Sequence, residues 1–228
     1  MHTHLPQGFV DLINVAPTII QDIRYFTDNN FVGTRIEGYL AGPAILAEVT
    51  ARALAKAQKD FYDLGFEVVI YEAYRPAKAT QHFIRWAQDV SDNKMQRLYY
   101  PRISKEAIFS GGYVSAKSAH TRGSAVDISL IPIGQSLRAC REVIYHLSDG
   151  TQMMRLDDGT VDMGGHFDLL DESSWHDSNL VSKEQNAMRN LLRSVMEKHG
   201  FAMYSKEWWH YSFKNEAFPD TYFDFDIK

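Results

Sequence analysis

Apolar side chains recur at helical spacing in two stretches, and a Gly-Phe pair closes each of them. In the first, Ile45, Val49, Ala53, Ala57, Phe61 and Leu64 share a helical face after Pro43, and Gly65 supplies the stop. Phe66 to Tyr71 then reads as a buried strand delivering Glu72-Ala-Tyr-Arg75-Pro76, where Pro76 ends it. In the second, Ser182 and Gln185 form a capping-box pair, Met188, Leu191, Leu192, Val195 and Met196 line one face, and Gly200 stops the helix before Phe201. The strand after it delivers Glu207-Trp-Trp-His210.

Arg75 and His210 each lie ten residues beyond their glycine, a layout that brings both out at the same end of neighbouring strands. Between them, Ala125-Val-Asp-Ile-Ser-Leu130 alternates as a half-buried strand does, with His120 just ahead of it on a loop containing Gly123. Stretches 89–117 and 131–181 are rich in Gly, Ser, Asp and Asn and weakly periodic, as long functional loops over an open site are. Together these elements predict a single α+β domain over residues 1–228, a mostly antiparallel sheet flanked by helices.

Composition supports one large core, with 228 residues of which 45% are hydrophobic and 13% aromatic. The formal charge of −5, from 24 basic and 29 acidic residues without a block of like charge, argues against a nucleic-acid partner. With Cys140 as the one cysteine, neither an intrachain disulfide nor a Cys-rich zinc site can form. No apolar run approaches the ~20 residues that span a membrane, and MHTHLPQGFVDLINVAP has no export signal. The expectation is no membrane insertion and a cytoplasmic location for the chain as given, or a periplasmic one where a leader has been removed.

A catalytic zinc wants three N or O ligands, an open fourth position and a carboxylate to take a proton from water. His120 and Asp127 lie in Ser118-Ala-His-Thr-Arg-Gly-Ser-Ala-Val-Asp127, and Glu207 and His210 in Glu-Trp-Trp-His. The odd spacing of Glu207 and His210 puts them on opposite faces of a regular strand, so a bulge at Trp208-Trp209, or entry from a loop, is needed to converge them. On the residues alone, core aromatics beside a hydrogen-bonded buried histidine is the plainer reading and stays open.

The pattern Ser-x-His-x-Arg-Gly-x-Ala-x-Asp with a distant Glu-Trp-Trp-His resembles the VanX-type D-alanyl-D-alanine dipeptidases, zinc metallopeptidases related to hedgehog-type zinc domains. The likeness continues, in the family's order, through Asp22-Ile-Arg-Tyr-Phe-Thr-Asp-Asn-Asn-Phe31, Tyr71-Glu-Ala-Tyr-Arg-Pro76, Asp162-Met-Gly-Gly-His-Phe-Asp168 and Tyr222-Phe-Asp-Phe225. It implies one Zn²⁺ per chain on His120, Asp127 and His210, Glu207 as general base, and Arg75 polarising the scissile carbonyl. It further implies that Tyr39, Ser118 and Asp168 hold a small D,D-dipeptide, with Asp168 facing the free ammonium group. Two neutral imidazoles and one carboxylate leave a zinc site one net positive charge. An oxyanion donor in Arg75's role is typically worth roughly 3 to 4 kcal/mol, against ~0 to 1 kcal/mol for an ordinary surface ion pair. Asp168 also fits a loop-capping role.

Other histidines read more plainly. His2 and His4 near the terminus, His82 and His199 in expected helices, and His146 in a long connection suit surface or packing roles, while His166 and His176 flank the Asp168 loop within reach of a pocket. The 131–161 connection is longer than the VanX type leads one to expect, with room to cover the pocket mouth or to meet a second subunit, which loosens the expected dipeptide range. Two other functions fit part of the pattern. A D,D-carboxypeptidase acting on peptidoglycan stems needs no trap for a free N-terminus, and a non-catalytic zinc-stabilised binding module has no use for Glu207 or Arg75. Oligomeric state, and the choice between vancomycin resistance, cell-wall recycling and use of D-alanine as food, leave no signature in the chain.

Overall fold

Both helix-Gly-Phe passages form, and they carry the framework of the site. The structure is a computed structural model describing residues 5–115 and 117–228, so His2 and His4 lie outside the described residues. Fourteen elements follow one another: β1 (Phe9–Asp11), β2 (Ile20–Gln21), β3 (Ile45–Ala47), α1 (Glu48–Asp63), β4 (Phe66–Glu72), α2 (Ala77–Gln88), α3 (Gln96–Tyr99), α4 (Lys105–Ser110), β5 (Ala125–Pro132), β6 (Arg141–His146), β7 (Gln152–Asp157), α5 (Lys183–Lys198), β8 (Phe201–Tyr204) and β9 (Glu207–Phe213). Helix α1 buries Ala51, Leu54, Ala57 and Phe61, and α5 opens with the full Ser182–Gln185 capping box. Ile45 is not helical, because Ile45–Ala47 pairs with β1 as an extended strand and α1 starts only at Glu48. A four-residue apolar spacing is compatible with either state, and here tertiary pairing decides.

The main sheet has five strands in the order β2-β4-β5-β9-β8. Only β2/β4 is parallel, so the α+β fold with a mostly antiparallel sheet is the one observed. Strand β5 lies at the centre and is buried at every position from Ala125 to Ile131, both faces being covered; its alternation does not mark a half-buried strand. Arg75 and His210 therefore do not come from neighbouring strands, since β5 runs between β4 and β9. Nor does one strand connect Gly200 to His210. Strand β8 turns back at Ser205-Lys206 into β9, and His210 sits on the return.

The two stretches expected as open loops are partly ordered. Residues 89–117 hold α3 and α4, and 131–181 hold the β6/β7 hairpin. The loop after that hairpin, which carries Asp168, is pinned from behind by Arg189 of α5. This fully buried guanidinium donates to the carbonyls of Met163 (2.7 Å), Ser173 (2.8 Å) and Trp175 (2.6 Å). Burial pushes its pKa down to about 10, so even the cation pays for this position.

Replacing Arg189 by Met keeps the bulk but orphans three carbonyls, each unsatisfied buried group costing about 1 to 3 kcal/mol. We expect Arg189→Met to lower the thermal midpoint by at least roughly 5 °C, measured by circular dichroism. An unchanged midpoint would show that the loop is held by something else.

Candidate metal centre and adjoining cavity

Three side chains stand in one row across three strands: Glu72 of β4 pairs with Asp127 of β5, which pairs with His210 of β9. Both outer strands are irregular at this row. The β4/β5 register shifts between Ile70 and Glu72, and the β8/β9 register shifts between Met203 and Tyr204, leaving Trp208 to His210 as the extra residues of β9. This second bulge falls where the odd Glu207–His210 spacing needs one. It brings Glu207 Oε2 to 3.9 Å from His210 Nδ1.

His120 enters from a short 3-10 turn, His120–Arg122, that ends at Gly123 with φ +69°. A Cβ at Gly123 would lie 2.4 Å from the Phe9 ring and 2.9 Å from the Ala47 nitrogen, so only glycine lets this turn sit against β3. Two backbone ties fix the turn to the end of β4: His120 Nδ1 donates to the Ala73 carbonyl at 2.7 Å, and the Arg75 N–H donates to the His120 carbonyl.

These ties determine which atoms face the centre. With Nδ1–H of His120 committed to the Ala73 carbonyl, its Nε2 carries the lone pair, and Ser212 Oγ at 3.1 Å can accept Nε2–H of His210, which leaves Nδ1 of that ring to carry the other. The two lone pairs lie 3.1 Å apart, and Asp127 Oδ1 lies 3.0 Å from His210 Nδ1 and 3.3 Å from His120 Nε2. Three acceptors thus converge with no donor among themselves. Ligand atoms around a tetrahedral zinc at 2.0 to 2.1 Å stand roughly 3.3 Å apart, so the spacing, the N/N/O donor set and the outward hydrogen bonds of both rings all fit a zinc ion.

A cavity of about 500 Å³ opens beside this cluster. His120, Asp127, His210, Glu207, Arg75, Ser118 and Asp168 all line it, as do Tyr25, Phe31, Phe83 and Lys117. Arg75 is aimed by Glu72, which accepts from its Nε at 2.6 Å and also from its Nη2, while the Phe83 ring lies 5.2 Å from the guanidinium carbon. Asp168 has φ +62°, a strained conformation for a non-glycine residue, and is buried with Tyr25 Oη donating to it at 2.8 Å. Burial, together with the charge of Asp127, holds both Asp168 and Glu207 well above the usual carboxyl range.

Tyr39 is fully buried off the cavity wall and donates to Glu72 Oε1 at 2.8 Å, one layer behind Arg75. His166 and His176 are buried but do not line this cavity, and no residue of the 131–161 connection reaches it. Reading the sequence missed Tyr25, Glu72 and Arg189. A signal for the last existed, because Arg189 interrupts the apolar face formed by Met188, Leu192 and Met196, where a cation needs buried acceptors.

A sequence profile of the Peptidase_M15 family, described as D-ala-D-ala dipeptidase, matches residues 6–137 and 148–228. The stretch it passes over, 138–147, contains the whole of β6. The chain is 39% identical to a D-alanyl-D-alanine dipeptidase of Streptomyces coelicolor over 96% of its own length and 97% of that protein's. It is 35% identical to the enzyme of that name from Enterococcus faecium, over 97% of this chain and 98% of that one, and 34% identical to one from Enterococcus faecalis, over 98% and 100%.

The Tyr39–Glu72–Arg75 chain generates its own test. Glu72→Ala leaves Arg75 buried and unpaired and should cost about 3 to 5 kcal/mol, whereas Tyr39→Phe removes a single hydrogen bond worth about 1 kcal/mol. In urea denaturation, adding Tyr39→Phe to Glu72→Ala should cost little more than Glu72→Ala alone. Full additivity would mean that the tyrosine acts elsewhere.

Proposed function

The chain belongs to the Peptidase_M15 family of metallopeptidases, and from that premise we propose that it hydrolyses D-Ala-D-Ala to two D-alanines with one zinc ion held by His120, Asp127 and His210. The observation that carries this reading is the meeting of three lone-pair atoms, 3.0 to 3.3 Å apart, on the wall of a cavity that also holds Glu207 and Arg75. A zinc ion supplies a Lewis acid there and makes water acidic enough to attack a peptide carbonyl near neutral pH.

The protein's own residues do the rest. Glu207 accepts the proton of the attacking water and returns it to the leaving amine. Its placement suits that duty: it lies beside the cluster of His120, Asp127 and His210 without belonging to it. Arg75, oriented by Glu72 before substrate arrives, donates to the oxygen that gains negative charge at the tetrahedral stage. Asp168 receives the substrate ammonium, with Tyr25 fixing its carboxylate. Ser118 gives a further polar contact at the cavity wall, and Tyr39 serves through Glu72 and Arg75.

A buried aspartate demanding a cation favours a free dipeptide over a stem peptide whose amine is already acylated. We expect N-acetyl-D-Ala-D-Ala to be cleaved roughly 10²-fold more slowly than D-Ala-D-Ala, or worse, because acylation leaves Asp168 unpaired. Equal rates would favour the D,D-carboxypeptidase reading.

Two further measurements separate the ligands from the base. His120→Ala, Asp127→Ala and His210→Ala should each lose zinc and D-Ala release together, read by atomic absorption and a coupled assay. Glu207→Gln should keep its zinc and bind dipeptide nearly as before while turnover falls ~10²- to 10⁴-fold. Zinc loss in that variant would make Glu207 a ligand, and near-normal turnover with zinc retained would remove it from the mechanism.

A further inference from the structure

Strand β6 falls in the stretch that the family profile passes over, and it forms a two-stranded sheet with β7 and no other strand. The turn between them shows which way its backbone groups point. Leu147 N–H donates inward to the Thr151 carbonyl, whereas Ser148 N–H donates outward to the Leu180 carbonyl. Hydrogen bonds alternate in direction along an antiparallel strand, so Arg141, Val143 and Tyr145 bond to β7 while Glu142, Ile144 and His146 direct their N–H and C=O groups away from it. These outward groups have no backbone partner among the described residues.

The side chains divide in the same way. Val143 and Tyr145 are half-buried, Tyr145 against the cluster of Leu147, Met153 and Leu169, while Glu142, Ile144 and His146 are exposed together on the other face. Edges left open in monomeric proteins are commonly short, bulged, or guarded by charge or proline. This one runs six residues in unbroken register with β7 and without proline, and the centre of its outward row is not a charge but Ile144, 61% exposed.

In one register β6 is complementary to itself. Two copies meeting edge to edge about a two-fold axis pair antiparallel, and outward residues face outward residues only where the axis passes between two copies of one residue. An axis at Glu142 opposes two like charges, and an axis at Val143 or Tyr145 sets Ile144 against Glu142 or His146. An axis at His146 needs the Ser148 N–H that is already bound to Leu180. With the axis at Ile144, the two isoleucines face each other and Glu142 of each copy faces His146 of the other. Glu142 Oε2 accepts from Arg97 Nη2 at 2.6 Å, which leaves Oε1 to accept from that imidazole. Each outward pairing then exchanges both of its main-chain hydrogen bonds. We propose that β6 is the contact between two copies of this chain, joined antiparallel about a two-fold axis at Ile144 so that the two hairpins form one continuous sheet, β7-β6-β6-β7. No residue of β6 lines the substrate cavity, so the contact is separate from the site.

The test needs no substrate and is independent of the proposed hydrolysis. Sedimentation velocity at rising concentrations of the whole chain should show a monomer passing into a dimer. Ile144→Lys removes the apolar contact and sets two cations against each other, so it should weaken that dimer at least roughly tenfold. Ile144→Cys should cross-link to a second copy under mild oxidation, because opposed residues of this kind have Cα atoms about 5.5 Å apart, within disulfide reach. Peptide mapping should place the bond between the two copies of position 144, and the wild type, with Cys140 alone, should not cross-link. A wild-type chain that stays monomeric at every concentration would overturn the proposal, leaving β6 to solvent or to a different protein. So would a dimer that Ile144→Lys leaves intact, which joins through another face, and so would a missing cross-link or one through Cys140, which means another register. Ile144 is exposed, so neither substitution touches the core. Should Ile144→Lys nevertheless fail to fold, the wild-type sedimentation and the Ile144→Cys cross-link decide.

Discussion

Three acceptors that repel one another must be held within about 3 Å, and the local architecture follows from that demand. Left to themselves, His120 Nε2, His210 Nδ1 and Asp127 Oδ1 would part or turn their donors inward. The chain prevents this by engaging the opposite nitrogen of each ring, through Ala73 O and Ser212 Oγ, so that neither imidazole can rotate without losing a bond. It places the carboxylate on β5, buried on both faces and paired on both edges, where movement costs most. The two outer strands then bulge at this row, which lets Glu72 and Glu207 reach the neighbourhood of the cluster while the flanking β pairs stay in register. A large apolar core, from Phe9 to Ile227, supplies the stability against which this local frustration is maintained.

How much of this was legible depended on how local each determinant is. The Ser182–Gln185 cap and the glycine stops after α1 and α5 involve neighbours along the chain, and they form as the sequence indicates. The bulge at Trp208-Trp209 was also readable, because side-chain parity on a strand is a local rule that Glu207 and His210 jointly break. Ile45 in a strand, the double-sided burial of β5 and the β8/β9 return were not, since each is settled by a partner far away in sequence. Tyr39 and Glu72 illustrate the same limit at the site. A tyrosine's sequence position does not reveal whether its hydroxyl meets a ligand or, as here, a carboxylate one layer back. Arg189 lay in between, its placement on an apolar face being visible while its three carbonyl partners were not.

The connection after β5 shows how an addition can be accommodated without disturbing the chemistry. The family profile passes over 138–147, and this segment forms β6 and pairs with β7 away from the substrate cavity. It is nevertheless fastened to the frame, because Cys140 accepts from Arg24 and Asn29, and Arg24 joins Asp158 and Tyr71 next to Glu72. The hairpin therefore bears on the back of the site and not on its mouth. The cavity wall on this side is supplied instead by Phe109 of α4 and by Tyr113, Val114 and Ser118.

Charge balance links the proposed metal to the proposed substrate. Glu72, Asp127, Asp168 and Glu207 surround the centre with Arg75 as the buried cation among them, so four ionised carboxylates would leave three uncancelled negative charges. Burial makes that state untenable, and Asp168 and Glu207 respond with raised pKa values. A divalent ion at the three acceptors cancels two of the charges, and an ammonium group at Asp168 cancels the third. The proposed substrate, a free dipeptide, also carries a carboxylate, and the exposed Lys117 in the cavity lining is a cation available to it. On the proposed reading, an N-acylated stem peptide would satisfy the carboxylate end alone and strand Asp168, so selection for a free amine would follow from the number of carboxylates gathered around one buried arginine.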